Sequence, residues 1–230
     1  MSSTGGPRHN PPLLISGQGD CISDAATPGW IGHHVLGPVL AAWADHAAAL
    51  LTARPQLHAL ALRRDGAVLG EAVRRHSPAL RPRIGDAWLS RRAAALAAIA
   101  DATDRESLAN LLVRMRHRPA TAAEAAAALG LPCPASDADA PLTGDRFERF
   151  CDHVATGETA ARLERHVGEA RHALLAHLDG LGLPDNAPLL LLDVGYAATV
   201  QRCLCRILRL AGRSRAVHGL YLVTSPGARW

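Results

Sequence analysis

Residues 188–201 read Pro-Leu-Leu-Leu-Leu-Asp-Val-Gly-Tyr-Ala-Ala-Thr-Val-Gln, and this stretch decides the fold. Four consecutive Leu, 189–192, show no polar alternation, so they predict a short strand buried on both faces. That is the signature of a parallel sheet covered by helices. Pro188 suits the opening of such a strand. The strand is expected to end at Asp193-Val194-Gly195 and to pass into a helix with Val200, Leu204, Ile207, Leu208 and Ala211 on its apolar side. The unit to look for elsewhere is therefore strand, polar turn, helix.

The unit recurs upstream. An apolar run, 57–62, leads through Arg63-Arg64-Asp65-Gly66 into a helical stretch, 67–75. A weaker strand, 86–89, leads through Ser90-Arg91-Arg92 into an Ala-rich helix, and a last strand is predicted at 219–224. The segment between is helical. Thr103 with Glu106, and Thr121 with Glu124, have the spacing of capping boxes. Gly130 and Pro132 stop the second of these helices. Phe147 and Phe150 share a face of the next helix, and a long helix carries Leu163, Val167, Ala170, Leu174 and Leu178 before Gly180. Ahead of the first strand, Leu36, Val39, Leu40, Trp43, Ala47 and Leu50 fall on one helical face. The fold class is α/β: a small Rossmann-like parallel sheet flanked by helices, with a large helical insertion at about 103–180. Residues 1–30, rich in Pro, Gly and Ser, read as a flexible N-terminal segment, and 31–230 as a single domain.

Composition narrows the function. With 48% hydrophobic and 20% charged residues, 230 residues build a buried core rather than a disordered chain. All 25 basic residues are Arg. The absence of Lys excludes a Schiff-base lysine and a P-loop lysine. A net charge of +4 suits an anionic ligand, whereas scattered Arg and only 3% aromatics argue against nucleic acid. Five Cys at irregular spacing fit free thiols, and residues 1–10 lack the apolar stretch of a signal peptide. The longest uncharged run, 25–44, contains Pro28, Pro38 and three Gly, and is expected not to span a membrane. A cytoplasmic protein is the expectation.

In parallel sheets ligands bind where strand ends meet helix N-termini. Three polar turns occupy such positions here. They offer Arg63, Arg64, Gly66, Ser90, Arg91, Gly195, Thr199 and Gln201 as candidate phosphate or substrate contacts. A guanidinium suits phosphate because its planar fork donates two parallel hydrogen bonds. Asp65 and Asp193 are the candidate catalytic residues, able to accept from sugar hydroxyls, hold a metal ion or act as bases. Taken singly, Asp65 also reads as a turn residue and Asp193 as a cap. Other groupings have plainer readings. His166, Glu169 and His172 form a solvated helix edge rather than a metal set, and Cys203 and Cys205 point to different sides of a helix. Cys151-Asp152-His153 lacks the geometry of a Cys–His pair. Arg202, Arg206, Arg209 and Arg213 make a basic stripe that is solvated by default, with phosphate contact or partner docking next.

These motifs carry a resemblance. Asp193-Val194-Gly195 lacks the second Asp that a haloacid-dehalogenase nucleophile requires two residues on. A type I phosphoribosyltransferase has two acids and then a Gly/Thr-rich phosphate loop; here Val194 replaces the second acid and residues 195–199 form the loop. The Arg-Arg-Asp-Gly turn is similar to the pyrophosphate loop of that fold. The ordered series Leu36-Gly37-Pro38, Arg64-Asp65-Gly66, Ser90-Arg91 and Asp193-x-Gly195-x-x-Ala198-Thr199-x-Gln201 resembles a more specific region. It is the one that follows the phosphatase-like domain in large predicted hydrolases of the haloacid-dehalogenase superfamily, linked with bacterial surface polysaccharide synthesis. The likeness runs from about residue 31 to the end. Ala198 stands for the family's second Gly, Thr199 for its Ser, and Arg63 where a small residue is common. The resemblance implies a domain that binds a phosphorylated sugar or nucleotide sugar, with phosphoribosyltransferase-like transfer chemistry in polysaccharide or secondary-metabolite synthesis. Two alternatives stand beside it: a non-catalytic scaffold whose helical middle docks another protein, and a phosphatase with an atypical site. No cofactor is identified; Mg2+ is the ion that two Asp beside a phosphate would suit.

Overall fold

Four strands, β1 (His58–Leu62), β2 (Ile84–Ala87), β3 (Leu189–Tyr196) and β4 (Val217–Thr224), pair in parallel in the order β2-β1-β3-β4. The coordinates are a computed structural model that describes residues 28–63, 65–113, 118–133 and 138–224. The fold is the expected α/β class, and the strands predicted at 57–62, 189–192 and 219–224 are neighbours in one sheet. The weak strand lies two residues earlier than 86–89, because Ile84 and Gly85 pair with Ala59 and Leu60.

The Leu run sets the layers. Side chains alternate along a strand, so Leu189 and Leu191 enter one core and Leu190 and Leu192 the other. The first core is shared with α4 (Arg91–Ala97), α8 (Gly157–Asp179) and α9 (Thr199–Leu210). The second is shared with α2 (Gly37–Ala53) and α3 (Gly66–His76), through Trp43, Ala47, Leu51, Leu69 and Val73. Burial of each such Leu stabilises by about 1.5–3 kcal/mol. Residues 103–180 lie outside the sheet and have a core of their own. There α5 (Arg105–Val113), α6 (Ala122–Leu129), α7 (Asp145–Val154) and part of α8 bury Leu108, Leu129, Phe150 and Leu163.

Caps explain where these helices start. The Thr121–Glu124 capping box is formed, and Gly130 ends α6 in the left-handed conformation. Thr103 is not a cap. Asp104 holds that place, its carboxylate accepting from the N–H of Ser107 at 3.2 Å and of Ala100 at 2.9 Å. Thr103 instead donates its hydroxyl to Asp101 at 2.6 Å.

The chain divides into two compact units, 1–39 and 40–230. In the first, α1 (Pro28–Ile31) is followed by a π-helical turn, Gly32–Leu36, with the Trp30 and His34 rings 5.0 Å apart. Both prolines fall at helix starts. Pro28 is a first helical residue, and the π turn lets the Gly37 N–H reach the Gly32 carbonyl just before Pro38. Pro28–Ala53 is thus long and apolar enough to cross a membrane by length and composition. Its last turns carry Trp43, Ala44, Ala47, Ala48 and Leu51 as core residues.

Candidate functional site

The strand order places a crevice. From β1 the chain passes through α3, on one face, to β2; from β3 it passes through α9, on the opposite face, to β4. The two connections diverge between β1 and β3, and beyond the carboxyl ends of those strands lies the usual ligand position of an open α/β sheet. The turn after β1 sits against β3 there. A β-carbon on Gly66 would stand 2.2 Å from the carbonyl oxygen of Leu192 and 3.5 Å from the α-carbon of Asp193.

The described residues that the sequence singled out have different partners. Asp65 is the residue before α3, exposed, and Arg63 is exposed with its guanidinium 4.9 Å from the Trp88 ring centre. Arg64 lies outside the described residues. Ser90 caps α4, its hydroxyl accepting from the N–H of Ala93 at 3.0 Å, and exposed Arg91 begins that helix. Asp193 is not beyond the strand end, as expected, but inside β3, opposite Tyr221 of β4. β1 stops pairing at Leu192, so β3 overhangs its neighbour and only β4 supports residues 193–196. By alternation Asp193 shares the α9 side with Leu191, while Asp65 precedes α3 on the other side. The two carboxylates share an edge and flank the sheet.

The entry into α9 explains two small residues. Gly195 has φ +110°, and a β-carbon there would meet the Val223 carbonyl oxygen at 2.2 Å. Ala198 precedes α9 with φ 53° and ψ 26°, a left-handed conformation that favours glycine. It falls where the resembled motif has its second Gly. Thr199 follows as the first residue of α9. Gln201 is engaged structurally. Its amide donates to the Val217 carbonyl at 3.0 Å, and its oxygen accepts from the Tyr221 hydroxyl at 2.9 Å. Burial, with the Asp193 carboxylate adding, raises the Tyr221 pKa, so the phenol stays a donor.

Cys151 is a core residue whose thiol burial pushes up to about 11. Among the described residues no three His, Cys, Asp or Glu form a metal-binding group. The basic stripe is divided between roles. Arg206 donates to Asp104 at 2.6 Å and Arg213 forks onto Asp179 at 2.5 and 2.8 Å, while Arg202 and Arg209 line a cleft.

Two features escaped sequence reading. Trp88, directly after β2, is 70% exposed beside Arg63, with its backbone N–H donating to His177 Nε2 at 3.0 Å. An aromatic residue at the carboxyl end of an edge strand is visible in sequence, yet nothing local says it stays outside the core. The other is the cleft of about 460 Å³ between α9 and the α4–α5 helices, which depends on contacts distant in sequence. No family model, curated protein or solved structure matches this chain.

Proposed function

We propose that the carboxyl edge of the sheet binds a phosphorylated sugar or nucleotide sugar at the divergence between β1 and β3. The divergence of the chain connections between β1 and β3, with Arg63 and Asp65 following β1 and Asp193 near the end of β3, supports this reading. Arg63, Arg64 and Arg91 take phosphate oxygens, and Gly66 keeps the first turn tight against β3. Asp193 and Asp65 accept from sugar hydroxyls. In a transfer or hydrolysis reaction, the Asp193 carboxylate takes the proton of the attacking hydroxyl while the guanidinium groups neutralise the departing phosphate. If Mg2+ enters with the ligand, Asp193 or Asp65 would be the residue to hold it, and its charge would offset that of the phosphate.

The alternatives have less support. A scaffold role for the helical middle needs an apolar docking face, and among the described residues of 103–180 no large apolar side chain is exposed. A phosphatase of the aspartyl-phosphate kind needs an acid/base carboxylate where Gly195 stands, closely packed on β4.

Isothermal titration of the wild type, Asp193→Asn and Arg64→Ala with phosphosugars and nucleotide sugars, with and without Mg2+, tests the reading. Losing a charge-assisted contact at Arg64 lowers affinity about 10- to 100-fold. Equal affinities across the three proteins, or no binding by the wild type, end it.

A further inference from the structure

The cleft beside α9 has a chemistry of its own. Arg202, Arg206 and Arg209 stand at i, i+4 and i+7, so their guanidinium groups follow one helix face over roughly 10 Å. All three line the cleft. Asp104 neutralises Arg206 and leaves its buried Nε without a hydrogen-bond partner, while Arg202 and Arg209 have no carboxylate partner among the described residues. Across the cleft α5 presents Glu106, Ser107 and Asn110, acceptors and donors suited to hydroxyl groups. Ala95, Ala98, Cys203 and Cys205 form the less polar wall; both cysteines reach the cleft although their i, i+2 spacing sends them to different sides of α9. Burial raises the pKa of Cys203 and of Cys205, so both thiols remain neutral there.

We infer that this cleft, which Thr199 and Gln201 at the start of α9 also line, is a binding pocket for a small phosphorylated metabolite on the α9 side of the sheet. Arg202 and Arg209 hold the phosphate or pyrophosphate end, and α5 contacts the hydroxylated remainder. A volume of about 460 Å³ falls within the range of small-molecule pockets. Charge decides the ligand class: three guanidinium groups face one lining carboxylate, Glu106, with Asp104 compensating only Arg206. The inference stands whether or not the sheet edge takes a ligand.

The test combines affinity with location. Inorganic phosphate, pyrophosphate and a hexose monophosphate are titrated into the full chain. Maleimide labelling at mildly alkaline pH is then read for each cysteine by mass spectrometry. Bound ligand is expected to slow labelling of Cys203 and Cys205, which line the cleft, and to leave exposed Cys133 unchanged. The double variant Arg202→Ala with Arg209→Ala is expected to lose affinity about tenfold or more. Should it fail to fold, the two Arg→Gln changes, which keep side-chain length, carry the same expectation. Binding that protects the thiols and survives Asp193→Asn belongs to the cleft. Binding that is lost in Asp193→Asn and leaves the thiols unprotected belongs to the sheet edge and overturns the inference. Unchanged affinity in the double variant, or no binding of any probe, overturns it as well.

Discussion

Gly66 and Leu192 meet backbone to backbone: a β-carbon on Gly66 would lie 2.2 Å from the Leu192 carbonyl oxygen. The partner is a paired strand in the sheet centre, which cannot yield as a flexible side chain would. Gly66→Ala must push the 63–66 turn away from β3. Overpacking against fixed structure costs about 1–3 kcal/mol. The urea midpoint is therefore expected to fall with an unchanged m-value, and ligand affinity at the sheet edge to fall with it. A midpoint equal to the wild type would show that the turn moves freely.

The neighbouring pair Gly195 and Ala198 separates space from backbone conformation. Gly195 has both a positive φ and the Val223 carbonyl oxygen in the way, so Gly195→Ala is expected to cost more than about 2 kcal/mol. Ala198 already tolerates φ 53°. In Ala198→Gly, relief of left-handed strain offsets the greater freedom of the unfolded chain and the loss of one buried methyl, each about 1 kcal/mol. Its stability should stay within about 1 kcal/mol of wild type. Ala198→Val, β-branched in the left-handed region, should lose more than about 2 kcal/mol. Thermal and urea unfolding of the three variants decide the order.

Arg171 ties the helical insertion to the sheet layer. Its guanidinium donates to the Ala97 carbonyl at 3.0 Å and also to the Ile99 carbonyl, satisfying the end of α4. Arg171→Ala leaves both carbonyls without that donor, at a cost of about 1–3 kcal/mol. Arg171→Lys cannot reproduce the fork and should recover only part of the loss. Full recovery by Lys, measured by chemical denaturation, would mean that charge rather than bidentate geometry matters.

His58 gives the protein a pH dependence of defined sign. Burial, then the Arg83 and Arg215 charges, lower its pKa below the ordinary 6.5, and its Nδ1 is buried without a hydrogen-bond partner. The folded state therefore resists protonation more than the unfolded chain. Its stabilising contribution is present above pH 6.5 and is lost as pH falls through the folded value. Between pH 7.5 and 5.5 the urea midpoint of the wild type should fall more than that of His58→Val. Parallel pH profiles for the two proteins would remove His58 as the cause.

What could be read in advance follows from where information is stored. Residues 189–192 announce themselves because burial on both faces removes every polar residue from the strand. The overhang 193–196 does not, since it is paired on one side only and carries an Asp and a Gly that read as a turn. Thr103 and Asp104 are adjacent candidates for one cap, and the choice is tied to Arg206, which lies far away in sequence. Periodicity finds the Arg stripe on α9. It cannot tell which guanidinium groups meet carboxylates, because Asp104 and Asp179 arrive from other helices. The left-handed conformation at Ala198 was not legible, because alanine carries no turn signal of its own.

Trp88 offers a way to distinguish a nucleotide sugar from a simple phosphosugar. The ring is 70% exposed at the carboxyl end of β2, with the Arg63 guanidinium 4.9 Å from its centre. β2 pairs with β1 through Leu62 and Ala87, so the ring stands one strand away from the divergence between β1 and β3. A planar base can stack on such a surface, and stacking of a base on an aromatic side chain contributes about 1–3 kcal/mol. Trp88→Ala should therefore weaken a nucleotide sugar about tenfold or more. Trp88→Phe, which keeps a smaller ring, should restore most of that loss. A hexose monophosphate has no base to stack, and its affinity should be the same in all three proteins. Because so little of the ring is buried, the unfolding midpoint should move little in either variant, so the binding result can be read without correction. Titrations with both ligand types decide the matter. If Trp88→Ala weakens the two equally, the ring contacts the phosphosugar portion; if neither changes, Trp88 lies outside the bound ligand.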